Sequence, residues 1–221
     1  GPCEKEIEKE KKACENYTPY GEEDVCKEAG LDGKIVKNAD WAKEKSQNAA
    51  GNPCIEARRC RLMPYKKKKD GVKGCCPSQT GDHLIPKSSF YKTSVKAGTK
   101  VAGWKHYKPQ DAPCMCLEGG TNTHGTHGLR HTHHRMNGPE GGKGTMVSFS
   151  SEVELAAQGA LVVTPKAHCS KDCIAAQLEA GHKGMKSKGA KDPAIKHSPS
   201  GRKMDDDVLN ERIVQMTSAP T

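Results

Sequence analysis

A cluster of histidines near the middle of the sequence constrains the local fold more than any other feature. Five of the ten histidines lie in the segment THGTHGLRHTHHR. On an α-helix, His124, His127 and His131 share one face, because residues three and four positions apart are neighbours there. Two neutral imidazoles one turn apart can bind the same divalent ion. The segment therefore predicts a metal-binding helix; the alternative, which two internal glycines favour, is a histidine-rich surface helix or loop.

An aspartate and a histidine stand side by side about forty residues upstream, in QTGDHLIPKSSF. The stretch is too short for a helix and is typical of the end of a strand. Asp82 is the natural third ligand for an ion held by two imidazoles. His83 would then point to the other side of the extended backbone, where it could act as a general base on a water molecule. This pairing of base and metal suits phosphodiester hydrolysis.

The composition favours a loop-rich α+β fold with a modest core. Hydrophobic residues make up 33% of the chain and aromatic residues 4%. The formal net charge is +9, which favours a polyanionic partner; a solubilising shell of lysines is the alternative. The sequence contains no apolar run of about 18 residues and no apolar core of a signal peptide near its start. We therefore expect no membrane insertion.

The pattern along the chain divides it into three regions. Residues 1–70 predict an N-terminal helical region or linker. Residues 71–182 predict two strands, one in GDHLIP and one in DAPCMCLEGG, then the histidine helix, capped by Thr121 or Asn122, and two amphipathic helices. Ser170 is the predicted cap of the last of these helices. Residues 183–221 predict a flexible basic tail with a short terminal helix.

Eleven cysteines are spaced unevenly and form no repeated CxxC pattern, so a zinc ribbon is not indicated. Four of them flank the two predicted strands: Cys75, Cys76, Cys114 and Cys116. We expect these four either to clamp the strands, through a disulfide or a structural zinc ion, or to be buried free thiols.

Residues 71–182 resemble the HNH/endonuclease VII nucleases, which have a ββα-metal core. The resemblance rests on DHLIP in GDHLIPKSSF and on the helix NTHGTHGLRH. More narrowly, CCPSQTGDHLIPKSSF, APCMCLEGGTNTHGTHGLRHTHH and CSKDCIAAQLEA are similar to polymorphic-toxin nucleases with GHH or HHH signatures. The implied fold is a ββα-metal core within a mostly helical, loop-rich α+β domain.

The resemblance also implies a role for individual residues. His83 becomes the general base that activates water, and Asp82 becomes the first metal ligand, where GHH-type members have histidine. His127 and His131 complete the metal site. Asn122 matches the middle letter of the HNH pattern loosely.

Several further residues receive roles around that site. His124 is implied as an alternative or second-layer ligand, and three basic residues are implied in DNA binding. These are Lys87, Arg130 and Arg135, of which either arginine would hold the scissile phosphate.

The implied activity is DNA cleavage with little sequence preference, leaving 5′-phosphate and 3′-hydroxyl ends. Mg²⁺ is the ion expected in use, although an Asp/His/His set also suits Mn²⁺, Ni²⁺ or Zn²⁺. The resemblance further implies an antibacterial toxin that a type VI or related secretion system delivers to a target-cell cytoplasm. Its expected partners are DNA, a delivery module and an acidic immunity protein.

Two other classes of function remain open at this point. One is a zinc hydrolase that acts on the cell wall, which an Asp/His/His site permits. The other is a non-catalytic module in which structural zinc supports nucleic-acid binding; it predicts an ion with four protein ligands. RNA is a minor alternative as the substrate.

Overall fold

A computed structural model describes residues 1–17, 22–67 and 74–220, and for residues 22–24 it describes the backbone alone. The helices are α1 (Glu4–Ala13), α2 (Glu22–Glu28), α3 (Ala39–Ala50), α4 (Pro53–Arg59), α5 (Gly125–Met136), α6 (Phe149–Val163), α7 (Lys171–His182) and α8 (Asp206–Met216). The strands are β1 (Met63–Pro64), β2 (Gln79–His83), β3 (Pro113–Glu118), β4 (Met146–Ser148) and β5 (Ala194–Lys196). The predicted α+β class is confirmed.

A three-stranded antiparallel sheet in the order β1-β3-β2 supports the central helix α5. In its register, Asp82 lies opposite Met115 and His83 lies opposite Cys114. Burial does not alternate along β3, because all six residues of that strand are buried. Helices α3, α4, α5 and α7 all pack against β3, so the strand has no face toward solvent.

Five of the described aromatic residues lie in one core: Phe90, Tyr91, Trp104, Tyr107 and Phe149. Phe90, Trp104, Tyr107 and Phe149 are fully buried and contact one another, with Phe90 stacked on Tyr107 at a centroid distance of 3.9 Å. His182, the last residue of α7, lies among them. A chain with little aromatic content therefore still forms a single large core around α5, α6 and α7.

The burial of His182 leads to a pH-dependence prediction. Its Nδ1–H donates to the carbonyl of Leu178 at 2.7 Å, and burial lowers its pKa to about 4. Since the unfolded chain protonates this ring near pH 6.5, the neutral ring contributes stability above that pH, and this contribution is lost as the pH falls toward 4. Between pH 7 and pH 4, we expect the free energy of unfolding to decrease by about 3 kcal/mol less in His182→Phe than in the wild-type protein. Urea unfolding at both pH values measures this; parallel losses in the two proteins would contradict it.

Five disulfides tie the described chain together: Cys3–Cys173, Cys14–Cys54, Cys26–Cys76, Cys60–Cys169 and Cys75–Cys116. Of the four cysteines that flank the two predicted strands, three form disulfides and therefore do not bind zinc. The fourth, Cys114, is buried and forms no disulfide within the described part of the chain. Two of the bonds, Cys3–Cys173 and Cys60–Cys169, link the N-terminal helical region to α7 and the residues just before it.

The region after residue 183 is not the flexible tail that its composition predicts. Strand β5 pairs with β4, and helix α8 packs on α3 and α5. The side chains of Ile195, His197, Leu209 and Ile213 are at most 6% exposed. Only the short terminal helix of that prediction is confirmed, as α8. The segment is rich in lysine and glycine, but its few apolar side chains are buried and are enough to hold it on the core.

The sequence predicts caps for the starts of α7 and α5, and only the cap of α7 agrees with the structure. Ser170 caps α7 as predicted, accepting from the backbone N–H of Cys173. For α5, neither Thr121 nor Asn122 is the cap, because the helix starts later, at Gly125, with His124 as the N-cap. None of the helices in the described part of the chain has the length and apolar character needed to cross a bilayer.

Candidate metal centre

Three donor atoms converge where the end of β2 meets the first turns of α5. The Nε2 atoms of His127 and His131 lie 3.2 Å apart, as expected for imidazoles at positions i and i+4 of a helix. Asp82 Oδ1 lies 3.4 Å from Nε2 of His127 and 3.2 Å from Nε2 of His131. The carboxylate reaches this point because Asp82 faces α5 in the pleat of β2. The three residues form one cluster on the inner edge of the sheet.

The mutual distances in this cluster fit a bound divalent ion. Ligand atoms about 2.0–2.1 Å from an ion at tetrahedral angles are separated by about 3.3 Å. All three separations in the cluster, 3.2, 3.2 and 3.4 Å, are close to that value. Two imidazoles and one carboxylate are also a ligand set that suits Zn²⁺, Mn²⁺ or Ni²⁺. The cluster supplies three protein ligands among the described residues, which leaves a position for water or substrate.

A threonine on β2 orients the first imidazole. Thr80 Oγ1 lies 2.8 Å from Nδ1 of His127 and donates its own proton to the carbonyl of Gly119 at 2.9 Å. Because that proton is engaged, the hydroxyl oxygen accepts from Nδ1–H of His127. The lone pair of His127 is therefore on Nε2, the atom that faces Asp82. Thr80 was not predicted from the sequence, where an isolated threonine carries no signal.

Arg130 neutralises the carboxylate from within the protein, which corrects its predicted role. Its guanidinium is fully buried and binds both oxygens of Asp82, with Nη2 at 2.8 Å from Oδ1. The same group donates to the backbone carbonyls of His83 and Leu84. A side chain committed in this way does not reach a DNA phosphate. Arg130 instead fixes the end of β2 against α5.

The electrostatics of Asp82 and His131 favour the protonation states in which these groups can bind a metal ion. Burial raises the pKa of Asp82, but the Arg130 guanidinium, His131 and His127 together outweigh it and hold the pKa of that carboxyl well below its usual range. Burial, and then the charge of Arg130, lower the pKa of His131 to about 4. Near neutral pH, Asp82 is therefore ionised and His131 is neutral.

His83 lies on the opposite face of β2 from Asp82, as the alternation of a strand requires. Its ring stacks on Tyr65 with a centroid distance of 4.4 Å, and its Nε2 lies 2.8 Å from the carbonyl oxygen of Pro109. A carbonyl only accepts, so Nε2 carries the proton and the lone pair is on Nδ1. His83 is thus held by the backbone in the tautomer that a base requires.

Two predicted residues lie outside the cluster. His124 precedes the helix, and its Nδ1 contacts Thr121 Oγ1 at 3.3 Å, so the predicted common face of three histidines is reduced to two. Asn122 donates to Ser200 Oγ at 2.8 Å, and no described contact joins it to Asp82. Gly125 explains the shift: its φ of +64° lies in the left-handed region, which turns the chain immediately before the helix.

The two remaining basic residues are exposed, as residues that contact DNA would be. Lys87 begins a short 3-10 helix after β2. Arg135 lies one turn beyond His131 on α5, and its Nη1 donates to the carbonyl of Gly201 at 2.9 Å. Their role in binding stays a prediction.

A second histidine–acid cluster, which was not predicted from the sequence, lies deeper in the protein. Glu152 accepts from Nε2 of His134 at 2.8 Å and from Nδ1 of His197 at 2.7 Å. Burial raises the pKa of Glu152, but these hydrogen bonds outweigh it and lower the pKa to about 2. The other nitrogens of the two rings have no partner among the described residues, whereas a metal-bound imidazole almost always uses its second nitrogen as a donor. The arrangement is therefore a hydrogen-bonded network that joins three segments.

The antiparallel pair β2–β3, followed by helix α5 with imidazoles that meet a carboxylate from β2, defines a ββα-metal nuclease domain of the HNH type. Residues 79–182 match the family model described as GHH signature containing HNH/Endo VII superfamily nuclease toxin 2. The family resemblance seen in the sequence is confirmed.

One curated relative extends the similarity over more of the chain. DNase toxin Tse7 from Pseudomonas aeruginosa (strain PAO1) is 35% identical over 202 residues, which cover 83% of this chain and 50% of that protein. The chain thus spans about half the length of this relative. No solved structure gives a significant match to the chain.

Proposed function

We propose that this chain is a divalent-metal-dependent DNA endonuclease that acts as an antibacterial toxin. The convergence of Asp82, His127 and His131 at metal-ligand spacing is the observation that carries the proposal. The match to the model of a nuclease-toxin family and the similarity to a DNase toxin support the substrate and the biological role. Delivery by a type VI or related secretion system to the cytoplasm of a target cell, and protection of the producer by an acidic immunity protein, belong to the same proposal.

The residues of the site divide the reaction between them. Asp82, His127 and His131 would hold the ion, which would supply Lewis-acid stabilisation of the charge that develops on the phosphate and the leaving oxygen. His83 accepts the proton of the attacking water at Nδ1, while the carbonyl of Pro109 stabilises the resulting imidazolium through Nε2–H. Arg130 and Thr80 keep the ligands in register and do not contact the substrate.

The geometry argues against the other two classes of function. A structural zinc module requires a fourth protein ligand, and the Asp82 cluster contains three among the described residues. The cysteines that would have supplied zinc ligands are engaged in disulfides, apart from Cys114. A cell-wall hydrolase would not require the excess of positive charge.

The direct test is cleavage of supercoiled plasmid by the purified chain in Mg²⁺, Mn²⁺, Ni²⁺ or Zn²⁺, each with and without EDTA. We expect nicked and then linear DNA in at least one metal, with Mg²⁺ the expected physiological ion, and no product in EDTA. Single-stranded RNA and purified peptidoglycan in parallel reactions test the alternatives. Intact plasmid in every metal, or cleavage of RNA alone, would overturn the proposal.

An open cleft of about 440 Å³ at the C-terminal end of α5 is the candidate path for the DNA backbone. Arg135, Lys143 and Lys203 line it, against a single carboxylate from Glu140. Arg135 lies four residues beyond His131 on α5, about 6 Å along the helix axis. Phosphates bound here would belong to the strand that enters the site.

We expect the double variant Lys143→Gln/Lys203→Gln to weaken DNA binding and to reduce the slope of log affinity against log salt by about 2, because each lysine that contacts a phosphate adds about 1. Fluorescence anisotropy of labelled duplex DNA in EDTA measures binding without cleavage. Lys5→Gln/Lys11→Gln, on the exposed side of α1, is the matched control. Equal slopes in the two double variants would exclude the cleft as the binding path.

A further inference from the structure

The segment 197–203, which follows β5, lies directly against the metal-binding helix. A Cβ atom at Gly201 would be 2.3 Å from the carbonyl carbon of His131, so only glycine permits this approach. One helical turn after His131, Arg135 makes a second contact with the segment by donating to the carbonyl of Gly201 at 2.9 Å. The segment lies outside the family match, which ends at residue 182.

Ser200 in this segment contacts the second ligand imidazole. Its Oγ lies 3.0 Å from Nδ1 of His131, and it accepts from the side-chain amide of Asn122 at 2.8 Å. The contact repeats what Thr80 does for His127, because each ligand ring has a hydroxyl oxygen at Nδ1 and presents Nε2 to Asp82. When a histidine binds a metal through Nε2, its Nδ1 carries a proton, and a hydrogen-bond acceptor at that position fixes the plane of the ring.

Buried hydrogen bonds hold the segment next to Ser200. His197 is fully buried and donates to Glu152, which also accepts from His134, three residues beyond His131 on the same helix. The position of Ser200 relative to His131 is therefore set by the packing of α5, α6 and the segment, and not by chance contact of a loose tail.

We propose that Ser200 is a positioning residue of the metal centre, which fixes the orientation of His131, so that the functional site extends beyond residues 79–182 to the segment 197–203. This inference rests on the proposed metal site at Asp82, His127 and His131. It also gives Asn122 a role different from the one predicted: Asn122 orients the Ser200 hydroxyl and does not act on the substrate. Ser200 itself touches neither the reacting phosphate nor the water.

The test is metal affinity, measured without DNA. The purified chain is titrated with Co²⁺ and Zn²⁺ in competition with a chromophoric chelator, and the Co²⁺ absorption spectrum is recorded. We expect Ser200→Ala to weaken metal binding about 10- to 100-fold, as is typical when the outer partner of a metal-bound histidine is removed. Ser200→Thr, which retains the hydroxyl, is expected to restore affinity to within a few-fold of wild type.

Ser198→Ala is the matched control, because it removes a serine hydroxyl two residues away that bonds Ser88 and does not touch the site. Its metal affinity is expected to equal that of wild type. If Ser200→Ala binds metal as tightly as wild type, or if Ser198→Ala loses as much affinity, the positioning role is wrong while the metal centre stands. If wild type binds no more metal than His127→Ala, the metal centre fails and this inference fails with it.

Discussion

Replacing His83 with alanine is expected to lower plasmid cleavage at least about 10²-fold while leaving metal affinity unchanged, whereas His127→Ala is expected to lose both. The loss at His83 follows from the usual contribution of a general base, about 10²–10⁴-fold. Its ring stacks on Tyr65 on the face of β2 opposite Asp82, so it is not among the three converging ligand atoms. His127 supplies one of those atoms, and its removal leaves two ligands for the ion.

Single-turnover cleavage and chelator competition on the same protein samples distinguish the two roles. His106→Ala is the control, since His106 is exposed and belongs to neither histidine cluster. Cleavage by His83→Ala at the wild-type rate would show that another group activates water. A parallel loss of metal affinity in His83→Ala would make His83 a ligand instead of a base.

The convergence of the three residues of the candidate metal centre was predictable because its signal is local. A spacing of four residues on a helix brings His127 and His131 together whatever surrounds them, and a strand places Asp82 and His83 on opposite faces. For Arg130 the sequence predicts a DNA phosphate as the partner, whereas the structure shows Asp82. The sequence shows a basic residue beside the site but does not show which way its side chain points. Its burial against Asp82 depends on how β2 packs on α5.

The groups that orient these ligands could not be found in the sequence. Thr80 contacts a residue 47 positions away, and Ser200 contacts one 69 positions away. Glu152 and His197 meet only after α6 and the C-terminal segment close on α5. Such contacts come from tertiary packing of common residue types with no fixed spacing. The composition therefore predicts a flexible tail in the region where the structure places Ser200 against His131.

The order of the first strands and helices was predictable, because hydrophobic periodicity and turn residues are also local. Strand β3 was located correctly in DAPCMCLEGG, but its full burial was not foreseen. Alternation is expected only when one face of a strand meets solvent, and here helices cover both. The pairing of cysteines is beyond sequence reasoning as well, since ten cysteines can pair in many ways.

Reduction of the five disulfides is expected to have the largest effect on stability. Loss of one native disulfide typically costs about 2–5 kcal/mol, and small domains have a total unfolding free energy of about 5–15 kcal/mol. Two of the bonds close long loops: Cys3–Cys173 spans 170 residues and Cys60–Cys169 spans 109 residues. Bonds that close long loops restrict the entropy of the unfolded chain more than bonds that close short ones. We therefore expect the fully reduced chain to unfold at 37 °C, or at a far lower urea midpoint than the oxidised chain.

Urea unfolding followed by circular dichroism, with and without a phosphine reductant, measures this change, and mass spectrometry after alkylation counts the reduced thiols. Cys114→Ala is the control, because Cys114 forms no disulfide and its removal should leave the redox dependence intact. An unchanged urea midpoint in a fully alkylated sample would contradict the expectation.

The redox result also bears on the proposed site of action. Disulfides form and persist in oxidising compartments, whereas the proposed substrate, the DNA of a target bacterium, lies in a reducing cytoplasm. A chain held together by five disulfides that entered that cytoplasm folded would be destabilised as its bonds are reduced. Plasmid cleavage is therefore expected to decay with time in reductant at the rate at which thiols appear. Cleavage that persists after complete alkylation would show that the packing of α5 against β2 and β3 is sufficient to maintain the metal centre.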